Sequence, residues 1–202
     1  MIAIIDYGVG NLFSLERSFE SIGAEVTVTA DPEVLCKAEK IVLPGVGAFE
    51  DAANKLRASG LDKLVCRLAA EGKPLLGICL GMQMLFDESY EYGCHKGLGL
   101  IPGKVVPMQG VIPADLKIPH IGWNGLHIEK ENPLLRYVKE GNCVYFVHSY
   151  YATDCKDAVI ATAEYGASLT AAVAKGNVFG CQFHPEKSGS VGLSILRAFK
   201  EM

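Results

Sequence analysis

A cysteine flanked by glycines lies where an apolar run meets a helical pattern. Gly77 and Gly81 stand two residues on either side of Cys79, within the segment 74–86. This is the cysteine form of the G-x-S-x-G nucleophile elbow, in which small residues allow a sharp turn from strand to helix. The turn would place the sulfur at a helix N-terminus, which favours the thiolate, and would make the Leu80 N–H an oxyanion donor. The segment therefore predicts a cysteine nucleophile; the alternative is a cysteine that only packs in the core.

A histidine and a carboxylate follow a later apolar run. His184 precedes Pro185, which favours an extended backbone at the histidine, and in an extended chain Glu186 would point to the same side. Such an imidazole could accept the thiol proton and return it to a leaving amine, while the carboxylate would fix its tautomer. Taken alone, the pair could equally be a structural ion pair. Beside the elbow, it predicts acyl-transfer chemistry by Cys79, His184 and Glu186.

Two glycine-containing turns follow predicted strands. The turn at 43–47 (LPGVG) could provide a backbone N–H at Val46 or Gly47 to a developing oxyanion, or be an ordinary strand-to-helix turn. The turn at 8–13 (GVGNLF) lacks the third glycine of a dinucleotide fingerprint, and no suitable acidic residue ends the second strand. We therefore expect no nucleotide cofactor, and the sequence predicts no metal site.

Composition restricts the class of protein. The chain has 202 residues, half of them hydrophobic, and a formal net charge of −4, which does not suggest a nucleic-acid or membrane surface. It shows neither a signal peptide nor an apolar run of the roughly 18 residues that a membrane span needs. Seven cysteines without CxxC pairs argue against a disulfide framework and a zinc ribbon. We expect a cytoplasmic protein with reduced thiols.

Apolar runs alternate with amphipathic segments in the first half, which predicts a mostly parallel sheet flanked by helices. Short strands follow one another in the second half, so we expect added strands of mixed direction within a single α/β domain over 1–202. Ser188 is a candidate N-cap for the last helix. The predicted strands are 2–5, 25–29, 40–43, 74–78, 103–108, 125–129, 143–147, 158–164, 169–174 and 177–183, and the predicted helices are 12–22, 31–38, 48–59, 61–71, 80–86 and 188–199.

These motifs resemble the class I (triad) glutamine amidotransferases, which have a flavodoxin-like fold. The resemblance rests on GICLGMQ at 77–83, PGVGAF at 44–49 and HPE at 184–186. More narrowly, DYGVGNL at 6–12, PHIGWN at 119–124 and YFVHSY at 145–150 resemble the glutaminase subunits of imidazole glycerol phosphate synthases, from histidine biosynthesis. The match runs over nearly the whole chain.

The resemblance implies a function and a set of site residues. Cys79 would attack the carboxamide of glutamine, with His184 as base and then acid and Glu186 orienting it, while N–H groups of Leu80 and of Val46 or Gly47 hold the oxyanion. It also implies that the substrate is held by Gln83, Glu91, Gly47, Ser149 and Tyr150.

The resemblance further implies a heterodimer with a separate (β/α)8 cyclase subunit, into which ammonia passes to give imidazole glycerol phosphate and an aminoimidazole carboxamide ribotide. A loop around the chain's single tryptophan would lie at this contact, because large aromatics in loops suit interfaces. A tryptophan packed on its own core is the alternative. The candidate contact residues are Asn11, His120, Trp123, Asn124 and Lys187.

Other hypotheses remain open from the sequence. The same glutaminase chemistry could serve another synthase, such as a pyridoxal-phosphate or anthranilate type. A flavodoxin-like protein could instead use Cys79 as a redox-sensing thiol. We also expect the isolated chain to hydrolyse glutamine slowly, because the glycines at 45 and 47 could leave an oxyanion donor misdirected until a partner binds.

Overall fold

The centre of the computed structural model, which describes residues 1–202, is a parallel sheet made from the apolar runs. Its inner strands are β1 (Ile2–Ile5), β3 (Lys40–Leu43), β4 (Leu75–Ile78) and β13 (Val178–Cys181). All residues of β1, β4 and β13 are buried, as expected for strands covered on both faces. These four strands therefore form at the apolar runs that predict them.

Helices cover both faces of this sheet. On one face, α1 (Leu12–Ser21) and α6 (Gly189–Lys200) pack over side chains such as Ile4 and Leu76. On the other, α3 (Phe49–Ala58) and α4 (Leu61–Ala70) pack over alternate residues of the same strands, such as Ile5 and Leu75. None of the helices is long and apolar enough to cross a bilayer. The remaining helices are α2 (Pro32–Lys37) and the short α5 (Leu80–Gln83).

Antiparallel strands extend the sheet to nine, which confirms the mixed second half. The order is β2-β1-β3-β4-β13-β12-β11-β8-β9, and the strands from β1 to β13 in this order are parallel. Because β4 pairs with β13 and Ile78 lies opposite Cys181, the carboxyl ends of the two strands lie side by side. β2 (Val26–Thr29) adds a further parallel strand beside β1. The strands that pair antiparallel are β8 (His120–Ile128), β9 (Cys143–His148), β11 (Val159–Glu164) and β12 (Ser168–Lys175).

A second sheet shows where the sequence prediction was wrong. The helix expected over 80–86 ends at Gln83, because backbone N–H groups of 98–101 bond to the carbonyls of Met84, Leu85 and Phe86. This tertiary pairing overrides a pattern that suits a helix, and the chain continues as a strand. The second sheet has the order β10-β7-β5-β6, formed by β5 (Phe86–Ser89), β6 (His95–Lys96), β7 (Ile101–Pro107) and β10 (Tyr150–Thr153).

Two further local predictions need correction. Residues 119–124 were expected to form a loop, but His120 begins β8, which pairs antiparallel with β9. Ser188 does occupy the N-cap position of α6, but its side chain makes no capping bond. Its hydroxyl instead donates to the His184 carbonyl at 2.6 Å and accepts the Tyr145 N–H at 2.9 Å. Both differences arise from pairing between distant segments.

We predict that Gly81→Ala destabilises the protein by at least about 3 kcal/mol, the upper range for overpacking. A Cβ at this position would overlap the Leu43 carbonyl oxygen, which belongs to rigid backbone. Gly176→Ala is the control for the overlap, since a Cβ there meets nothing within 4 Å; its left-handed φ of 60°, which Gly81 does not share, costs an alanine only about 1–2 kcal/mol. Denaturant unfolding of both variants checks this, and equal losses would contradict the packing argument.

Candidate active site

Cys79 occupies a strained turn between β4 and α5. Its φ of 55° and ψ of −112° are unusual for a residue with a side chain, and its N–H donates to the Cys181 carbonyl at 2.7 Å. A Cβ on Gly77 would come within 2.7 Å of the Gly81 carbonyl oxygen, so the two flanking glycines allow the turn to close. The structure thus has the geometry of a nucleophile elbow, and the sulfur points into a cavity.

His184 and Glu186 form a buried pair at the end of β13. The histidine Nδ1 lies 2.8 Å from the Glu186 Oε1, and the two side chains are 2% and 3% exposed. His184 is extended, as expected from the proline that follows it, with φ −100° and ψ 97°. Glu186, however, lies in a 3-10 turn over Pro185–Lys187, and this turn rather than a continuous extended chain brings its carboxylate to the imidazole. The His184 backbone is fixed by its N–H bond to the Tyr145 carbonyl and by the Ser188 hydroxyl. The bond to Glu186 therefore orients the ring, and the two other bonds fix the backbone that carries it.

The second imidazole nitrogen of His184 is free to act. Nδ1 bonds to Glu186, so Nε2 faces the cavity, where it makes no other hydrogen bond within the chain. Burial alone would lower the pKa of His184, but interactions with the Cys79 sulfur and the Glu186 carboxylate outweigh it and raise the pKa to about 10. The site therefore favours the imidazolium form of His184 beside the Cys79 sulfur.

One cavity of about 250 Å³ brings the predicted residues together. It contains Cys79 and His184, all the candidate oxyanion residues and all the candidate substrate-binding residues; Glu186 lies behind the histidine. No group of three or more potential metal ligands occurs in residues 1–202. The cavity is lined by Val46, Gly47, Cys79, Leu80, Gln83, Glu91, Pro119, Val147, His148, Ser149, Tyr150 and His184.

The loop after β3 has a fixed half and a free half. The Tyr7 hydroxyl donates to the Pro44 carbonyl at 2.7 Å, and a Cβ on Gly45 would lie 2.7 Å from the Gly81 nitrogen. In contrast, Gly47 has a φ of 93° with nothing within 4 Å of a Cβ, and Val46 is 43% exposed. The expectation that both glycines are flexible therefore needs correction, because packing fixes Gly45.

Gln83 and Glu91 offer acceptors to a ligand. Gln83 Nε2 lies 3.1 Å from the Tyr150 carbonyl and 3.0 Å from Gln182 Oε1, so both its protons are used and Oε1 remains. Glu91 accepts the Phe49 N–H at 2.6 Å at the start of α3. Burial raises the pKa of Glu91, and this hydrogen bond partly offsets the effect.

The five candidate contact residues divide into surface and interior. Trp123 is 55% exposed and lies edge-on to Tyr145 at 6.0 Å, while the exposed Lys187 places Nζ 5.9 Å above the same ring. Asn11 and Asn124 are half-buried. His120 is buried at 2% exposure between the rings of Phe146 and Tyr165, so its expected surface role is wrong.

Several residues that shape the site were missed from the sequence. The Tyr7 hydroxyl donates to the Pro44 carbonyl and the Ser188 hydroxyl accepts the Tyr145 N–H, two contacts with distant backbone that no local pattern reveals. His148 donates Nδ1–H to the Tyr150 carbonyl at 2.9 Å, and burial lowers its pKa to about 4, so it is neutral. Gln182 lies between Gln83 and Cys79; its position two residues before His184 was the only available signal.

Comparisons with known proteins agree on a family. A family model described as glutamine amidotransferase class-I matches residues 3–201. Imidazole glycerol phosphate synthase subunit HisH of Geobacillus sp. (strain WCH70) is 53% identical over 203 residues, which cover 98% of this chain and 95% of that protein. The protein of the same name from Geobacter sulfurreducens is 51% identical over 205 residues, which cover 100% and 98%.

Solved structures share the fold at low identity. One described as a glutamine amidotransferase has a TM-score of 0.77 at 20% identity and covers 100% of this chain and 98% of its own. The structure of PurLQS from Thermotoga maritima has a TM-score of 0.75 at 21% identity, with 98% and 96% covered. Such likeness confirms the single α/β domain with helices on both faces of its sheet.

The charge of His184 predicts how alkylation of Cys79 responds to a substitution. Contacts with the Cys79 sulfur and the Glu186 carboxylate raise the pKa of His184 to about 10, so the ring keeps its positive charge at pH 8. Because a neighbouring positive charge makes a cysteine more reactive, His184→Asn should slow alkylation of Cys79 by iodoacetamide at least about tenfold. The exposed Cys36, Cys94 and Cys143 are internal controls and should react at unchanged rates. Mass spectrometry gives the rate at each cysteine, and an unchanged rate at Cys79 would contradict the influence of His184.

Proposed function

The chain belongs to the class-I glutamine amidotransferase family, and we propose that it is the glutaminase subunit of an imidazole glycerol phosphate synthase, supplying ammonia for histidine biosynthesis. Full-length identity of about half to two HisH subunits supports the assignment. The observation that carries the chemistry is the strained Cys79 facing, in one cavity, a histidine bonded to a buried carboxylate. This arrangement favours a covalent mechanism over a purely redox-sensing thiol.

The first half of the reaction forms a thioester. The Cys79 thiolate attacks the side-chain carboxamide carbon of glutamine and gives a tetrahedral oxyanion. The oxyanion collapses as the carbon–nitrogen bond breaks, and the His184 imidazolium gives its Nε2 proton to the departing nitrogen, which leaves as ammonia. Glu186 stabilises the imidazolium before this transfer and holds the ring in the orientation that presents Nε2 to the cavity.

The second half releases glutamate. Neutral His184 takes a proton from a water molecule while the water oxygen attacks the thioester carbon. The resulting tetrahedral intermediate collapses, and its carbon–sulfur bond breaks. The products are the glutamate side-chain carboxyl group, which releases its remaining proton to solvent and becomes a carboxylate, and the Cys79 thiolate, again beside an imidazolium. One water is consumed in each cycle, and one glutamate, one ammonia and one proton form.

Backbone donors serve both tetrahedral intermediates. The Leu80 N–H lies in the first turn of α5, where helix N–H groups have no partner in the helix. A second donor comes from Val46 or Gly47, in the free half of the loop after β3. Since Gly45 is packed against α5, reorientation of this donor is confined to residues 46 and 47.

The cavity also suits the amino-acid end of glutamine. Glu91 and the free Oε1 of Gln83 are acceptors for N–H donors of the ligand, as expected for an α-ammonium and a carboxamide. Ser149 and Tyr150 also line the cavity. The cavity volume of about 250 Å³ limits the ligand to a small molecule of this kind.

A cyclase subunit of (β/α)8 fold completes the proposed enzyme. Trp123 and Lys187, which flank Tyr145, give an exposed aromatic and cationic surface on which it would dock. Ammonia released at Cys79 would pass to the cyclase without entering bulk water.

All seven cysteines are free thiols, which supports the expected cytoplasmic location.

We expect Cys79→Ala to lower glutamine hydrolysis by at least about 10⁴-fold, because the covalent route is lost. The assay measures glutamate released in the presence of the cyclase subunit and its ribotide substrate. A glutamine-like electrophile should label Cys79, while Cys143→Ala, at an exposed thiol, should retain full activity. Hydrolysis that persists in Cys79→Ala would refute the proposed function.

We expect Trp123→Ala to weaken association with the cyclase at least tenfold, as for an exposed aromatic at an interface centre. Stimulation of glutamine hydrolysis by the cyclase should fall in parallel. Isothermal titration measures the affinity. Tyr137→Ala is the control, because that aromatic is also 43% exposed but packs against Arg136 and Arg197. Equal weakening by both changes would argue against this surface.

A further inference from the structure

Gln182 is a fully buried polar residue beside the nucleophile. Its side chain is 0% exposed and does not line the cavity, while its backbone N–H bonds to the Ala171 carbonyl at 2.8 Å. Burying a carboxamide is costly unless its polar atoms find partners. The fold therefore needs a reason to have an amide here rather than an apolar side chain.

The hydrogen bonds around Gln182 fix which way its amide points. Gln83 Nε2 is a donor, and its two acceptors are the Tyr150 carbonyl at 3.1 Å and Gln182 Oε1 at 3.0 Å. Because the backbone carbonyl can only accept, the orientation of Gln83 is set, and Gln182 must present its oxygen to Gln83. The Gln182 nitrogen then faces the Cys79 sulfur at 3.9 Å.

The sulfur has a second polar neighbour of opposite character. The Val147 carbonyl oxygen lies 4.0 Å from Cys79 Sγ, and a carbonyl can accept a hydrogen bond only from the protonated thiol. The Gln182 N–H donates, so it stabilises the thiolate. With Cys79 only 7% exposed, water weakens neither contact much. The balance between these two neighbours affects how much reactive thiolate is present.

We propose that Gln182 is a positioning residue that donates a hydrogen bond to the Cys79 thiolate and, through its oxygen, holds Gln83 in the orientation that leaves Oε1 free for the ligand. This inference rests on the proposed glutaminase function. A single carboxamide would thereby link the nucleophile to the substrate-binding side of the cavity.

Alkylation of Cys79 by iodoacetamide tests the donor, because this reaction does not need Gln83. In Gln182→Met, which has similar volume but no polar atoms, the rate at pH 7 should fall roughly tenfold, as for one hydrogen bond to a charged group. The rate should also become more dependent on pH between 7 and 9, which a purely structural role would not produce. Gln109→Met, at an exposed turn, is the control and should react at the original rate.

Gln182→Glu separates the two roles of the amide. Its carboxylate keeps an oxygen for Gln83 but presents an acceptor to the sulfur, so alkylation at pH 8 should fall at least as far as in Gln182→Met. Alkylation within twofold of the original rate in Gln182→Glu would overturn the proposed donor role. The melting temperature of each variant shows whether it is folded under the assay conditions.

The outcome for Gln182 is distinguishable from that for the whole function. If Cys79→Ala abolishes glutamine hydrolysis while both Gln182 variants alkylate and hydrolyse normally, the glutaminase function stands and this inference fails. If Cys79→Ala still hydrolyses glutamine, the proposed function itself fails, whatever the alkylation rates show.

Discussion

The parallel pairing of β4 with β13 is the contact on which the site depends. With Ile78 opposite Cys181, the residues that follow each strand, Cys79 and His184, come to the same edge of the sheet although they are distant in sequence. Open α/β sheets commonly bind ligands at the carboxyl ends of their strands. The same register places Gln182 beside the sulfur. A shift by one residue would separate the nucleophile from its base and turn their side chains to other faces.

Close backbone packing then holds the edge rigid. Gly45, Gly77 and Gly81 allow the loop after β3, the end of β4 and the start of α5 to approach at distances that no side chain would permit. This packing opposes the relaxation of Cys79 from its unusual φ and ψ, which is how local strain persists in a folded protein. Tyr7 adds a hydroxyl bond to the same loop. The conformation of Cys79 is thus set by the packing of neighbouring backbone more than by the conformational preference of a cysteine.

The sequence predicted the parts of the structure that local chemistry determines. Apolar strands, amphipathic helices, the glycines around Cys79 and the neighbouring His184 and Glu186 each leave a local signal. Of the second sheet, only β7 left one, as the predicted strand 103–108; Phe86 and its neighbours become a strand only when residues 98–101 pair with them. His120 was placed at the surface for the same reason, since its burial depends on Phe146 and Tyr165. Long-range pairing, rather than composition, decided these positions.

The division of the loop after β3 also bears on how such enzymes can diverge. Pro44 and Gly45 are constrained by Tyr7 and α5, so substitutions there would disturb the nucleophile itself. Val46 is partly exposed and free of those contacts, and Gly47 is open on its Cβ side. The side chain at position 46 can therefore vary, and with it the shape of the free half of the loop, while the backbone packing that places Cys79 stays unchanged.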